Sequence, residues 1–333
     1  NHIPVEIIAE AAQGYEGTPK LAELLALGAL RSGADAVKFQ LVLADELAVP
    51  TYEYYDLFKS LEMEISVWRV IVALIKDSQK KVYFDIYGDL SLALAKQLGA
   101  SGVKISTTDF YNKPLVRQAI ASFEKVFISI GGVPAEELEE LVQTLGETTN
   151  VSLMYGFQAE PTPTEDNNLL RLAEFRKLYP HISLGFMDHS LGTSEEAFYL
   201  PLMALSLGVA YIEKHITLDP ILQIEDYISA LEPAKFEKFV SIVRQMEPAL
   251  GMSELRLTEK ELRYKSLAGK VVVAKREILA GTKLEEEDLV LKRVGTDGSP
   301  DCFRSIEEIV GSVVQQNLAL NAPVTRDLIC VEG

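Results

Sequence analysis

The feature that most restricts the fold is an alternation of short apolar runs with longer amphipathic ones, repeated eight times. Val5–Glu10, Ala36–Gln40, Val82–Asp85, Gly102–Ser106, Val126–Ser129, Val151–Tyr155, Leu184–Met187 and Val209–Ile212 read as strands. Each is followed by a helix-length segment: Lys20–Arg31, one ending near Lys80, Leu90–Leu98, Lys113–Ser122, Ala135–Leu145, Glu165–Leu178, Ser194–Leu207 and Pro233–Met246. A Tyr-rich loop, Thr51–Tyr55, leads to the second helix, and Gly99 reads as a C-cap. Strands alternating with helices imply a parallel sheet, and eight such units fit a closed (β/α)8 TIM barrel. A doubly wound open sheet is the weaker alternative, because no glycine-rich phosphate fingerprint follows the first strand.

A barrel places its chemistry at the carboxyl ends of its strands. Two of the four histidines, His189 and His215, stand at the ends of the last two strands. They therefore emerge at one edge of the sheet, where two imidazoles and nearby carboxylates suit a divalent metal. A hydrogen-bonded pair shaping a pocket is the alternative. The inward strand-end series is Glu10, Lys38 with Gln40, Asp85, Lys104, Ser129, Gln158, His189, and Glu213 with His215. Lys38 and Lys104 each interrupt an apolar strand, which is costly unless the lysine is paired or meets an anion. Pairing with Glu10 or Asp85 is one reading; with Thr107 and Ser129 nearby, a phosphate or carboxylate cradle is the other. The expected mouth is lined by Glu10, Asp85, Asp188 and Glu213.

Composition narrows the partners. With 32 basic against 49 acidic residues the net charge is −17, which argues against nucleic acid or an anionic membrane surface. No apolar run is long enough to span a bilayer and no signal-peptide pattern opens the chain, so a cytoplasmic protein is expected. Asn1 is not a methionine, so the true start is expected to be missing or processed. Cys302 and Cys330 make no metal or redox motif and are read as reduced thiols. After Gly251 the texture changes. The expected division is a barrel over 1–252, a charged helical linker over 253–266, and a small β-rich module over 267–333. A module of that size is only modestly stable alone and is expected to dock on the barrel or on a partner subunit.

At these residues the chain resembles the sialic acid (N-acetylneuraminate) synthase family, which includes relatives of spore-coat polysaccharide biosynthesis protein E. The matching pieces are Ile7-Ile-Ala-Glu10, Gly33 to Gln40, Val103-Lys-Ile, Ile128-Ser129, Pro161-Thr-Pro, Asp188-His189-Ser-Leu-Gly192, Ile212 to Asp219, and Asp226 before Ser229 to Pro233. Ile278-Leu-Ala-Gly, Leu284 to Arg293 and Ile309-Val-Gly311 resemble the family's antifreeze-like (SAF, β-clip) domain. The resemblance implies condensation of phosphoenolpyruvate with an N-acetylated amino sugar such as N-acetylmannosamine, in cell-surface polysaccharide biosynthesis. It implies a divalent metal, Mn²⁺ first with Mg²⁺ or Co²⁺ as alternatives, held by His189 and His215. Glu10 would act on a water at the metal, and Lys38, Lys104 and Ser129 would contact phosphoenolpyruvate. Thr107, Gln158 and Gln40 fall among the substrate-binding positions. Asp226 would hold the sugar, and Arg293 would reach it from the partner subunit of a domain-swapped homodimer.

Several positions depart from the family's pattern. After Glu10 the chain reads Ala11-Ala-Gln-Gly-Tyr-Glu-Gly17 instead of Ile-Gly-x-Asn-His-Asn-Gly, and Asp85-Ile-Tyr-Gly88 replaces Ser-Thr-Pro-Phe. Thr107 and Met187 stand where serines are usual, and Gln158 and Glu160 replace a serine or asparagine and a tyrosine. Retained metal and lysine positions with altered sugar-side positions imply a shifted acceptor sugar. Two alternatives remain: a non-catalytic sugar-binding or scaffolding relative, and a metal-dependent aldolase using pyruvate.

Overall fold

The computed structural model describes residues 4–146, 148–251, 254–295 and 301–330, in two compact units, residues 1–252 and 253–333. In the first unit eight parallel strands close into a barrel in chain order: β1 (Glu6–Ala12), β2 (Ala36–Gln40), β3 (Lys81–Ile86), β4 (Gly102–Ile105), β5 (Val126–Ser129), β6 (Val151–Tyr155), β7 (Ser183–Asp188) and β8 (Tyr211–His215). β8 pairs back onto β1, with Glu10 opposite His215. The expected (β/α)8 barrel is what forms.

Strand periodicity of two sorts the side chains. Ile7, Val37, Phe39, Phe84, Ile105, Ile128, Leu153, Phe186 and Ile212 belong to the large core shared with the helices. The intervening positions Ile8, Ala36, Tyr83, Phe127, Met154 and Met187 form a separate cluster that fills the barrel. A plugged apolar interior leaves only the next inward layer, toward the strand carboxyl ends, for polar groups.

The helices Lys113–Ser122, Ala135–Leu145 and Pro233–Met246 form as expected. Helix Asp89–Leu98 ends at Gly99, whose φ of 69° is costly for a residue with a Cβ. The expected helix Glu165–Leu178 is instead a 3₁₀ turn, Thr164–Asn167, followed by Leu170–Leu178. Asn167 donates its side-chain amide to Pro163 O at 3.0 Å, and Asn168 takes the left-handed backbone, φ 46°. Both residues offer the chain a turn in place of a helix. The Tyr-rich loop runs straight into an extra short helix, Tyr55–Ser60.

In the second unit Glu259–Ala268 is helical, opened by a Thr258/Glu261 capping box. Beyond it β9 (Val271–Ala274) pairs antiparallel with β10 (Leu289–Lys292), and β11 (Val313–Val314) with β12 (Ile329–Cys330). Two similar turns, at Gly281 (φ 85°) and Asn321 (φ 66°), follow segments bridged at Ile278 and Leu318. Val272, Ile278, Leu284, Phe303, Leu318 and Val324 supply this unit's own core.

Candidate active site

Strand register places the charged residues in one ring. Glu10 lies opposite Lys38, Asp85 opposite Gln40 and Lys104, and Glu213 opposite Met187. Lys38 Nζ pairs with Glu10 Oε2 and lies 2.7 Å from Asp85 Oδ1 and 3.5 Å from Glu213 Oε1. Lys104 Nζ lies 2.8 Å from Glu213 Oε1 and 3.2 Å from Asp85 Oδ2. All five are buried, so none bears its charge without the others. Burial pushes the Lys38 ammonium down to about 8, with Asp85 and Glu213 opposing. For Lys104 burial also works downward, but Asp85 and Glu213 outweigh it and hold its pKa above the ordinary lysine value. Burial would raise Glu213, yet Lys104 and Lys38 keep it below the usual carboxylate range. Both lysines therefore pair with carboxylates, and Asp85 touches each of them.

The bulge that ends β1 fixes Glu10. Ala12 adopts φ 46°, and its amide donates to Glu10 Oε1 at 2.6 Å. The altered loop after it is packed tightly. Tyr15 is fully buried, stands edge-on to Phe39 and Trp68, and donates its hydroxyl to Gln40 O at 3.0 Å. Gln13 Nε2 and Tyr87 Oη both donate to Gln40 Oε1, at 2.6 and 2.7 Å. That leaves the Gln40 NH₂ as the group offered to a ligand.

His189 follows β7 and His215 ends β8, with ring centroids 5.1 Å apart. Burial pushes His189 down to about 4 and His215 well below its ordinary value, so both rings are neutral at neutral pH. Neutral imidazole is the form that ligates metals. Nδ1 of each ring is buried without a hydrogen-bond partner, and so is Glu213 Oε2. Orphaned nitrogens on two neutral rings beside an unpaired carboxylate oxygen fit a divalent cation better than a hydrogen-bonded pair. Asp226 Oδ2 lies 3.7 Å from His215 Nδ1. Burial, reinforced by a hydrogen bond and the charge of Glu160, pushes Asp226 up to about 8.

Across the barrel, Thr107 Oγ1 and Ser129 Oγ lie 2.8 Å apart, and Gln158 Nε2 donates to Ser129 Oγ at 3.3 Å. A cavity of about 280 Å³ joins these sides, lined by Glu10, Gln40, Asp85, Lys104, Gln158, His189, Glu213, His215 and Asp226. Lys38 lies just beneath, fully buried. The structure thus brings together the sequence-predicted barrel residues, Thr107 and Ser129 joining through Gln158. Arg293 belongs to the second unit, where it is exposed and donates from Nε to Ala268 O at 3.0 Å.

One expectation fails. Asp188 does not line the mouth; it pairs with Lys214 at 2.8 Å, and both are buried on the outward side of their strands. The alternation that turns Met187, Glu213 and His215 inward necessarily turns Asp188 and Lys214 outward. Periodicity gives no sign that Glu160 and Glu225 line the cavity, and only the family resemblance put Glu160 on the sugar side. Both lie in loops, where no periodicity announces a facing.

These features define a barrel enzyme with an ionised pocket at its strand carboxyl ends. The NeuB family matches residues 26–254 and the SAF domain matches residues 269–329, so the chain belongs to the NeuB family. It is an enzyme of the sialic acid synthase type, as the strand-end resemblance implied. The N,N′-diacetyllegionaminic acid synthase of Legionella pneumophila is 27% identical over 94% of this chain and 91% of its own. A sialic acid synthetase from Leptospira borgpetersenii, solved with citrate, superposes with a TM-score of 0.72 at 26% identity, covering 79% of this chain and 92% of its own. The spore coat polysaccharide biosynthesis protein SpsE of Bacillus subtilis, at 24% identity and TM-score 0.66, shares the fold over 100% of this chain and 97% of its own.

Proposed function

We propose that the barrel condenses phosphoenolpyruvate with an N-acetylated amino sugar to give a sialic-acid-type nonulosonic acid and phosphate. One observation carries the reading: Lys104 and two neutral histidines whose Nδ1 atoms lack hydrogen-bond partners line a single cavity, with Lys38 buried beneath it. C3 of phosphoenolpyruvate bonds to the sugar's aldehyde carbon, water adds at C2, and phosphate leaves. Lys104, with Lys38 beneath it, offsets the anion's charge, which a protein of net charge −17 otherwise repels. Thr107, Ser129 and Gln158 supply hydroxyl and amide donors to the same anion. Glu10, anchored by the Ala12 amide, takes the proton of the attacking water. His189 and His215 would hold the divalent metal, Mn²⁺ first, which when bound supplies Lewis-acid polarisation of the aldehyde. Gln40 and Asp226 orient the sugar. Arg293 completes the site of a partner subunit in a domain-swapped homodimer, and the enzyme works in the cytoplasm on cell-surface polysaccharide precursors.

Asp85 favours a second reading, because it pairs with both lysines and competes with any anionic substrate. In that reading the barrel binds a sugar without turnover. Phosphate release from phosphoenolpyruvate, with Mn²⁺ and a panel of mono- and di-N-acetylated amino sugars, separates the two. Release that depends on one of the sugars supports the synthase; none with any sugar supports the binding protein.

A further inference from the structure

The loop after β6 carries Glu160 to the same cavity as His215 and Asp226. One ligand atom from each of these three residues lies within 4.8 Å of the other two. His215 is 5% exposed, and its Nδ1, 3.7 Å from Asp226 Oδ2, has no hydrogen-bond partner. Two carboxylates and an imidazole gathered this closely offer a cation three donor atoms at once. We propose that Glu160 and Asp226 join His215 as ligands of a divalent metal, so that carboxylate as well as imidazole holds the ion in this barrel. The proposal rests on the metal reading given above, places one oxygen of Asp226 on the ion while the other stays with the sugar, and adds Glu160, a residue that reading leaves without a role.

The donor set indicates the class of ion. Imidazole with carboxylates suits Mn²⁺, Fe²⁺, Co²⁺ or Zn²⁺, whereas the set contains no thiolate and is not the all-oxygen shell of Ca²⁺. Glu160 is exposed, so its carboxylate contributes little to folding and can be changed alone.

The test is Mn²⁺ binding to the full chain after chelator treatment, read from the free Mn²⁺ electron paramagnetic resonance signal. Wild type, Glu160→Gln, Glu225→Gln and His189→Ala are compared, with thermal unfolding as the control for folding. Glu225 lines the same cavity outside the three-residue group, so its variant removes the same charge without removing a proposed ligand. The expected result is a loss of about tenfold or more in Mn²⁺ affinity for Glu160→Gln, a much smaller loss for Glu225→Gln, and unchanged unfolding of both. Equal losses in the two variants would reduce Glu160 to a contributor of diffuse charge and overturn the proposal. Affinity unchanged in Glu160→Gln but lost in His189→Ala would also overturn it while leaving the metal reading standing. A wild type that binds no Mn²⁺ would end both.

Discussion

Lys104 and Glu213 meet at 2.8 Å inside the barrel, from strands on opposite sides of the lumen. The lysine does not wait for an anion with its charge free; it shares itself between Glu213 and Asp85. An anionic substrate gains Lys104 only by competing with carboxylates already in place. Lys104→Met is expected to weaken phosphoenolpyruvate binding by about 2 kcal/mol, the scale of one charge-assisted contact. Calorimetric titration of the folded variant measures it. Equal affinity in wild type and variant would make Lys104 a structural ion-pair partner only.

His189→Ala and His215→Ala are each expected to abolish metal retention and turnover while the barrel stays folded. Each ring sits at a strand end with an unpartnered Nδ1, so little of the strand pairing depends on it. Metal content by mass spectrometry and far-ultraviolet circular dichroism check the two halves. Unchanged metal content in both variants contradicts the assignment.

The barrel floor yields a pH prediction independent of the site. Lys125 Nζ sits 4.4 Å from the Tyr211 ring centroid and donates to Ser152 Oγ at 2.6 Å. Burial pushes it down to about 8. An unfolded lysine titrates near 10.4, so between about pH 8 and 10.4 the unfolded chain holds more protons than the folded one. This group's contribution to stability therefore rises with pH across that window, and below pH 8 it is a constant penalty. Thermal unfolding of wild type and Lys125→Met from pH 7 to 10 should converge as pH rises, the variant being relatively more stable at pH 7. A pH-independent difference would mean that Lys125 keeps an ordinary pKa.

The barrel itself was legible because buried strands and amphipathic helices have different periods, and eight repeats leave few alternatives. The strand-end residues were legible for the same reason: alternation turned Glu10, Lys38, Lys104, Glu213 and His215 inward. The same alternation, carried one residue further, turns Asp188 outward toward Lys214. Glu160, Glu225 and the break at Asn167–Asn168 lie in loops, whose course depends on local hydrogen bonds such as Asn167 to Pro163. How both lysines share Asp85 was hidden too, since strand order predicts neighbours but not which carboxylate a flexible lysine chooses.

Mixing subunits tests the role proposed for the second unit. An Arg293→Ala subunit combined with a His189→Ala subunit should recover part of the activity that each lacks alone, because one site in the mixed dimer has all its parts. Mixed dimers that stay inactive would mean that Arg293 serves its own chain's site or none.

The condensation proposed for this barrel joins three carbons to a sugar aldehyde. Its most direct test is mass spectrometry of the products formed from ¹³C-labelled phosphoenolpyruvate, Mn²⁺ and the amino-sugar panel. One sugar should yield a nonulosonic acid carrying all three labelled carbons, with phosphate released in equal amount. Label recovered only in phosphoenolpyruvate or pyruvate, with every sugar unchanged, would rule that reaction out.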